Sequence, residues 1–302
     1  MPAPKLVLKD TPYNDMFTHE GLKALDGRFL HYLAKKDASY HRALCAYRAS
    51  PLLSHTQERA QLLIKAAEHL DQFIQQLFDI EQSAAQVRSI YDANEPIIAF
   101  KQQVVKGIAK RQLKKDIEDS FEGLTKRIMA RLTTTEDLEL DWANYALMLL
   151  ADKEAQSEHY NRMIDWCVLA LRSPEGQAFV QYWQSFAFPK KIDSEAMVPV
   201  VSCDQKKLAY SKLSAPKEKF RQRQGFQLTD SGMGYRQTLS ELDYCVYCHT
   251  SDTDFCTKGF PIKKKEPSLG LKTNAHGVLQ TGCPLEEKVS EMHVLKRAGW
   301  VI

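Results

Sequence analysis

The chain has 302 residues, enough for about two domains at roughly 150 residues per domain. Its hydrophobic fraction of 44% is that of an ordinary globular protein and excludes wholesale disorder. The 41 basic and 38 acidic residues leave a net charge of +3, which is too balanced to indicate nucleic-acid binding.

The sequence lacks the patterns of a membrane span, of a signal peptide and of a nucleotide-binding domain. No apolar run approaches the roughly 20 residues of a membrane-spanning helix. The first 20 residues contain no unbroken apolar stretch, so we expect no signal peptide and a cytoplasmic location. Only 13 glycines occur, and neither G-x-G-x-x-G nor G-x-x-x-x-G-K-[ST] is present, which argues against a nucleotide-binding α/β domain.

Residues 1–190 repeat apolar side chains at intervals of three and four residues, the spacing of one helical face. The predicted helices cover 22–33, 56–78, 97–113, 117–132, 137–150 and 155–171, and another begins at Ser173-Pro174-Glu175. In this last helix we expect four aromatic residues to face a core, namely Phe179, Tyr182, Trp183 and Phe186. The region is therefore predicted to be an all-α bundle.

No catalytic chemistry is apparent in this bundle. Its six histidines are scattered over different helices without the His-x-x-x-His spacing of a metal site. Six basic residues between Lys101 and Lys115 predict a solvated stripe, with a surface for phosphate or for an acidic partner as the alternative. Residues 191–235 contain prolines and a basic run, and they predict a linker that passes over the surface.

Residues 236–302 form a Cys-rich module. Cys245, Cys248, Cys256 and Cys283 lie there, and the first two have the C-x-x-C spacing that directs two thiolates to one metal. Cytosolic thiols stay reduced, so clustered cysteines more often hold metal or act in redox chemistry than form disulfides. The last cysteine is followed by Pro284, a pattern of iron–sulfur ligands. Zinc is the alternative, with Cys283, His249 or His276 as the fourth ligand.

These motifs resemble a known family. Cys245-x-x-Cys248, Cys256 and Gly282-Cys283-Pro284-Leu285, followed by a helix ending near Arg297-Ala298-Gly299-Trp300, are similar to the N-terminal iron–sulfur domain of the glutamate synthase small subunit and of dihydropyrimidine dehydrogenase. The segment Tyr244-Cys245-Val246-Tyr247-Cys248-His249 more specifically resembles the corresponding segment of a large bacterial subgroup of NAD(P)- and FAD-dependent oxidoreductases, which have a helical N-terminal extension. The resemblance covers about residues 225–302.

The resemblance implies an electron-transfer module with a [4Fe–4S] cluster bound by Cys245, Cys248, Cys256 and Cys283. By this resemblance FAD and NAD(P) would bind in downstream domains that are absent from this chain, so the chain resembles a truncated enzyme. The implied partners are flavin and nicotinamide oxidoreductase domains or a subunit. The Lys-rich loop between Cys256 and Cys283 departs from the family pattern, and the family tends to use the fourth cysteine for another cluster. The alternative function is a zinc-stabilised helical interaction or scaffold module.

Overall fold

The computed structural model describes residues 12–51, 56–133, 136–189, 201–202, 213–214, 225–228, 232–263 and 266–300. Helices dominate these residues, which confirms the all-α prediction. In chain order they are α1 (His19–Lys36), α2 (Ala38–Ala49), α3 (Thr56–Phe78), α4 (Glu81–Phe100), α5 (Phe121–Met129), α6 (Leu138–Ala151), α7 (Ser157–Arg172), α8 (Pro174–Phe179), α9 (Tyr235–Leu242), α10 (Phe255–Lys258) and α11 (Val289–Arg297).

The predicted linker over residues 191–235 lies mostly outside the described residues. Its described part includes two strands of two residues each, β1 (Val201–Ser202) and β2 (Leu213–Ser214), which pair antiparallel. Chain 232–300 packs on the helical region: α9 lies against α4, and α11 lies against α3. No helix in the described ranges combines the length and the hydropathy of a membrane-spanning segment.

Polar side chains fix where several helices begin. Each accepts a hydrogen bond from an amide of the first helical turn, where the backbone has no acceptor within the helix. These residues are Thr18, Asp37, Ser120, Asp137 and Ser173, at the starts of α1, α2, α5, α6 and α8. The predicted start at Ser173-Pro174 is therefore confirmed.

Helix α4 departs from the sequence prediction. The prediction places a helix boundary at Ile97, after a proline, but α4 begins at Glu81 and continues through Pro96. It then widens into a π-helical turn over Lys101–Lys106. Proline removes only one backbone donor, and burial of the flanking apolar residues Tyr91, Ile97 and Ile98 opposes the break that the sequence suggests.

An aromatic cluster forms the largest core. Trp166 is fully buried and lies 4.9 Å from Trp142 between ring centroids, and its Nε1 donates to Thr125 Oγ1 at 2.8 Å. Phe179, Trp183 and Phe186 pack around this pair, as the sequence predicts. Tyr182 was expected to face the core as well; that expectation is wrong, since Tyr182 is 82% exposed.

Polar contacts join α9 to the bundle. Arg236 forms ion pairs with Asp137 and Glu139 and donates to Asn94 Oδ1. Glu139 is buried, and its carboxylate also accepts hydrogen bonds from the backbone N–H and the hydroxyl of Ser185. Burial raises the pKa of Glu139, although Ser185 and Arg236 favour its charged form. Arg236 therefore neutralises an acid that the fold has removed from water.

Lys101 corrects the prediction of a solvated basic stripe. Its side chain is 1% exposed, and Nζ donates to Ser240 Oγ at 2.9 Å. The ammonium group also lies 4.8 Å from the centre of the Tyr244 ring, close enough for a cation–π contact. Burial lowers the pKa of Lys101. The first member of the stripe is therefore buried, and it connects the end of α4 to Ser240 in α9 and to Tyr244 just after α9.

Removing the Arg236 guanidinium leaves the buried Glu139 carboxylate without its cation. We expect Arg236→Ala to lower the free energy of unfolding by about 3 kcal/mol, measured by urea denaturation. Lys126→Ala is the control, because Lys126 pairs with Glu122 on an exposed face and should cost at most about 1 kcal/mol. Equal losses in the two variants would contradict this account.

His69 should make stability depend on pH. Both of its ring nitrogens are buried without a partner among the described residues. Burial, together with Lys65 and Lys36, lowers its pKa below the usual 6.5. The unfolded chain therefore binds the proton first as pH falls below about 6.5, and the free energy of unfolding decreases.

The corresponding measurement is urea unfolding at about pH 7.5 and about pH 5.5. His69→Leu should lose less stability between these values than the native chain does. His31→Leu, at an exposed position on α1, should keep the native pH dependence. A native dependence in His69→Leu would show that another group is responsible.

Candidate functional site

The Cys-x-x-Cys segment forms a tight turn directly after α9. Tyr247, between the two cysteines, adopts a left-handed conformation with φ +46°, and a 3₁₀ turn over Cys248–Ser251 follows. The Tyr247 N–H points at Cys245 Sγ over 3.4 Å. The backbone of the turn is therefore directed toward the first of the two sulfurs.

A second amide–sulfur contact connects this turn to α10, the short helix that carries Cys256. The Phe255 N–H points at Cys248 Sγ over 3.5 Å. Asp254 begins α10, because its carboxylate accepts from the Thr257 N–H at 3.1 Å. The sulfur of Cys248 consequently lies beside the residue that precedes Cys256.

Cys283 returns to the same place after a long loop. Its N–H donates to the Cys256 carbonyl at 2.6 Å. The close approach requires glycine at position 282, because a Cβ there would lie 1.9 Å from the Thr257 carbonyl oxygen. The loop itself folds back through backbone bonds such as Phe260 N–H to the Gln280 carbonyl. Chain topology thus brings the backbones of Cys256 and Cys283 together.

The N-terminal end of α11 closes the group on another side. Ser290 is buried, and its Oγ lies 2.7 Å from His249 Nδ1 and 3.9 Å from Cys245 Sγ. Glu291 is also buried, and its Oε2 has no hydrogen-bond partner among the described residues. The Ser290 hydroxyl therefore lies between the Cys245 sulfur and the His249 imidazole, and the buried Glu291 carboxylate follows it in the chain.

The pKa values of Cys256 and of the neighbouring Asp254 shift in opposite directions. Burial raises the pKa of Cys256, and Cys248 and Cys245 raise it further. Burial also favours protonated Asp254, but hydrogen bonds from Lys288 and Thr257 outweigh it and lower the pKa of Asp254. A bound cation would reverse the penalty on the Cys256 thiolate, since metal ions deprotonate coordinated thiols.

The four cysteines named from sequence all carry free thiols. Cys248 is buried, and Cys245, Cys256 and Cys283 are half-buried. Within the described ranges, no group of three or more His, Cys, Asp or Glu side chains is arranged to hold a metal ion. The structure therefore joins the segments that carry the cysteines without presenting a completed ligand set.

Several residues around the thiols were not predicted. Asp252, Asp254 and Ser290 lie within residues 236–302, and Arg59 contacts them from α3 through Asp254. Ser290 and Arg59 come from α11 and α3, far away in sequence, and no motif marks them. Asp254 carries one local signal. Aspartate is a preferred residue immediately before the first turn of a helix, where its side chain accepts a hydrogen bond from an amide of that turn.

Comparisons with known proteins connect the helical region to one family description. Residues 8–79 match a family model described as the RP005 N-terminal alpha-helical domain. The match ends one residue after α3, so it includes the helical group α1 to α3. Over 306 residues the chain is 29% identical to Uncharacterized protein RP005 of Rickettsia prowazekii (strain Madrid E), covering 91% of this chain and 93% of that protein. No solved structure matches the chain.

These findings correct the family expected from the sequence. The descriptions of the matching family model and of the matching protein name neither an iron–sulfur domain nor a glutamate synthase. This makes the identification with the iron–sulfur domain of the glutamate synthase small subunit and of dihydropyrimidine dehydrogenase wrong. Cys-x-x-Cys and Cys-Pro are short patterns that unrelated thiolate sites share, so they carried too little information to define a family. What the chain is similar to over most of its length is RP005.

Proposed function

We propose that the chain is a helical interaction module whose C-terminal segment is folded by one zinc ion. The ligands are the thiolates of Cys245, Cys248, Cys256 and Cys283. In this role the metal is structural: it cross-links a loop-rich segment and holds it against the helices. Reduced thiols are needed, which agrees with a cytoplasmic location.

One observation supports this proposal above the others: the C-terminal segment has almost no apolar core. Among the described residues after Leu242, Cys248 is the single buried hydrophobic side chain. Small segments of this kind are usually stabilised by disulfides or by a metal. These four cysteines form no disulfide in the structure, so the proposal assigns a metal as the cross-link.

The donor set suits zinc. Four thiolates are a standard tetrahedral zinc set, and a Cys-x-x-Cys turn commonly supplies two of them. The amides of Tyr247 and Phe255 point at the sulfurs of Cys245 and Cys248, and hydrogen bonds to metal ligands of this kind orient them. Zinc binding then requires the thiol side chains to rotate toward one centre. This is a change of side-chain torsions only, because the backbones of Cys256 and Cys283 are already hydrogen-bonded to each other.

An interaction role for the helical region is the second part of the proposal. Phe17 and Leu22 are 72% and 51% exposed, and Leu70 is 41% exposed. Leu22 and Leu70 line a cavity of about 220 Å³ between α1, α2 and α3. Exposed apolar side chains beside a groove are typical of surfaces that bind another protein.

Metal analysis of the purified chain tests the zinc site. We expect one zinc per chain without acid-labile sulfide, and loss of zinc in Cys248→Ser or Cys256→Ser. Cys45→Ser is the control, because Cys45 lies on α2 and should leave zinc binding unchanged. Iron with sulfide, or a chain that binds no metal when purified and refolded with zinc, would contradict the proposal.

Ser290 should slow the release of zinc without being a ligand itself. Its hydroxyl lies between the Cys245 sulfur and the His249 ring and would hold the Cys245 ligand in place. Groups that bond to metal ligands typically contribute tenfold to a hundredfold in affinity. We expect Ser290→Ala to release zinc about tenfold faster to a colorimetric chelator. The control is Ser89→Ala, because the Ser89 hydroxyl donates to the Gln86 carbonyl at an exposed position of α4. Equal release rates in both variants would show that the Ser290 hydroxyl does not act on the site.

A further inference from the structure

We propose that metal binding at the cysteines controls the N-terminal end of α3. The two sites are joined by a contact between residues 195 positions apart. This inference rests on the proposed zinc site and goes beyond it, because it makes the metal a control on the helical group α1 to α3, the region that matches the RP005 N-terminal domain.

The first contact is a hydrogen bond from α3 to the Cys-rich segment. Asp252 Oδ1 accepts from the Gln57 N–H at 3.2 Å. Amides in the first turn of a helix have no acceptor within the helix, so a carboxylate at this point satisfies a backbone donor and the positive end of the helix dipole. Asp252 follows the turn that contains Cys248, and its φ of +53° is part of the same tight structure.

The second contact runs through Asp254. This carboxylate is 2% exposed in its side chain and lies 3.8 Å from Arg59 of α3. It also accepts from Lys288 at 2.8 Å and from the Thr257 amide in α10. Because α10 carries Cys256, Asp254 connects a ligand-bearing helix to α3 with one side chain.

The two polar contacts just described, from the Gln57 N–H and from Arg59, both join the first turn of α3 to the Cys-rich segment. Gln57 and Glu58 are exposed, whereas Thr56 is buried where the 3₁₀ turn after Tyr247 lies against α3. The Cys-rich segment in turn lacks an apolar core, so its order depends on its cross-link. Release of the metal therefore frees Asp252 and Asp254 together, and the first turn of α3 loses its cap and its ion pair.

Amide hydrogen exchange on the full chain, read by mass spectrometry, tests the inference. The chain is measured loaded with zinc and after removal of zinc by a chelator. We expect amides in the first two turns of α3 to exchange about fivefold faster without zinc, the effect of losing one helix cap. Amides in α6 and α7 serve as an internal reference and should not change.

Two substitutions at one position separate the contact from the metal. Asp252→Gly suits the positive φ and removes the carboxylate, so zinc should stay bound while α3 exchanges at the rate of the zinc-free chain. Asp252→Asn also suits this conformation and keeps a side-chain acceptor, so it should protect α3 as the native residue does. The zinc content of both variants is measured in parallel.

Each outcome has a distinct meaning. If zinc binds and α3 exchanges equally with and without it, this inference is overturned and the zinc site stands. If α6 and α7 also lose protection on zinc removal, the metal stabilises the whole fold and local control of α3 is wrong. If no zinc binds at all, both the zinc site and its control of α3 fail.

Discussion

The C-terminal segment is held together by polar and backbone contacts instead of an apolar core. Beyond Leu242, Cys248 is the single buried hydrophobic side chain among the described residues. The segment therefore depends on a few specific bonds, above all the backbone hydrogen bond from Cys283 to Cys256 and the contacts that attach it to α3 and α4. The aromatic core around Trp142 and Trp166 has the opposite character, since it stabilises the bundle through many interchangeable packing contacts.

Periodicity predicted the helices that bury a continuous apolar face. Helix α3 occupies Thr56–Phe78 as predicted, because its apolar residues repeat on one face over its whole length. Helix α2 was missed, since only Tyr40 and Leu44 in it are buried and the rest of its surface is polar or small. The predicted exposure of Lys101 was also wrong. Nothing in the local sequence shows that α9 and the residues after it cover the chain just after α4.

The sequence also indicated which residues to examine for chemistry, but not what surrounds them. The four cysteines stand out because cysteine is rare and theirs are close in sequence. Asp252, Arg59 and Ser290 have no such signal, since their roles come from contacts between segments far apart in the chain. The family identification was wrong for a related reason: two short cysteine patterns describe local backbone geometry and not the rest of a fold.

The π-helical turn over Lys101–Lys106 has a consequence for how this chain tolerates changes in length. A π turn accommodates one more residue than an α turn, and each residue rotates a helix by about 100°. Val104 and Val105 are fully buried just after Lys101, so the face they present is set by this extra residue. Deleting Gln102 or Gln103 would restore α-helical spacing and rotate these valines out of the core, whereas a deletion in the exposed turn over 274–277 would leave the helical register untouched.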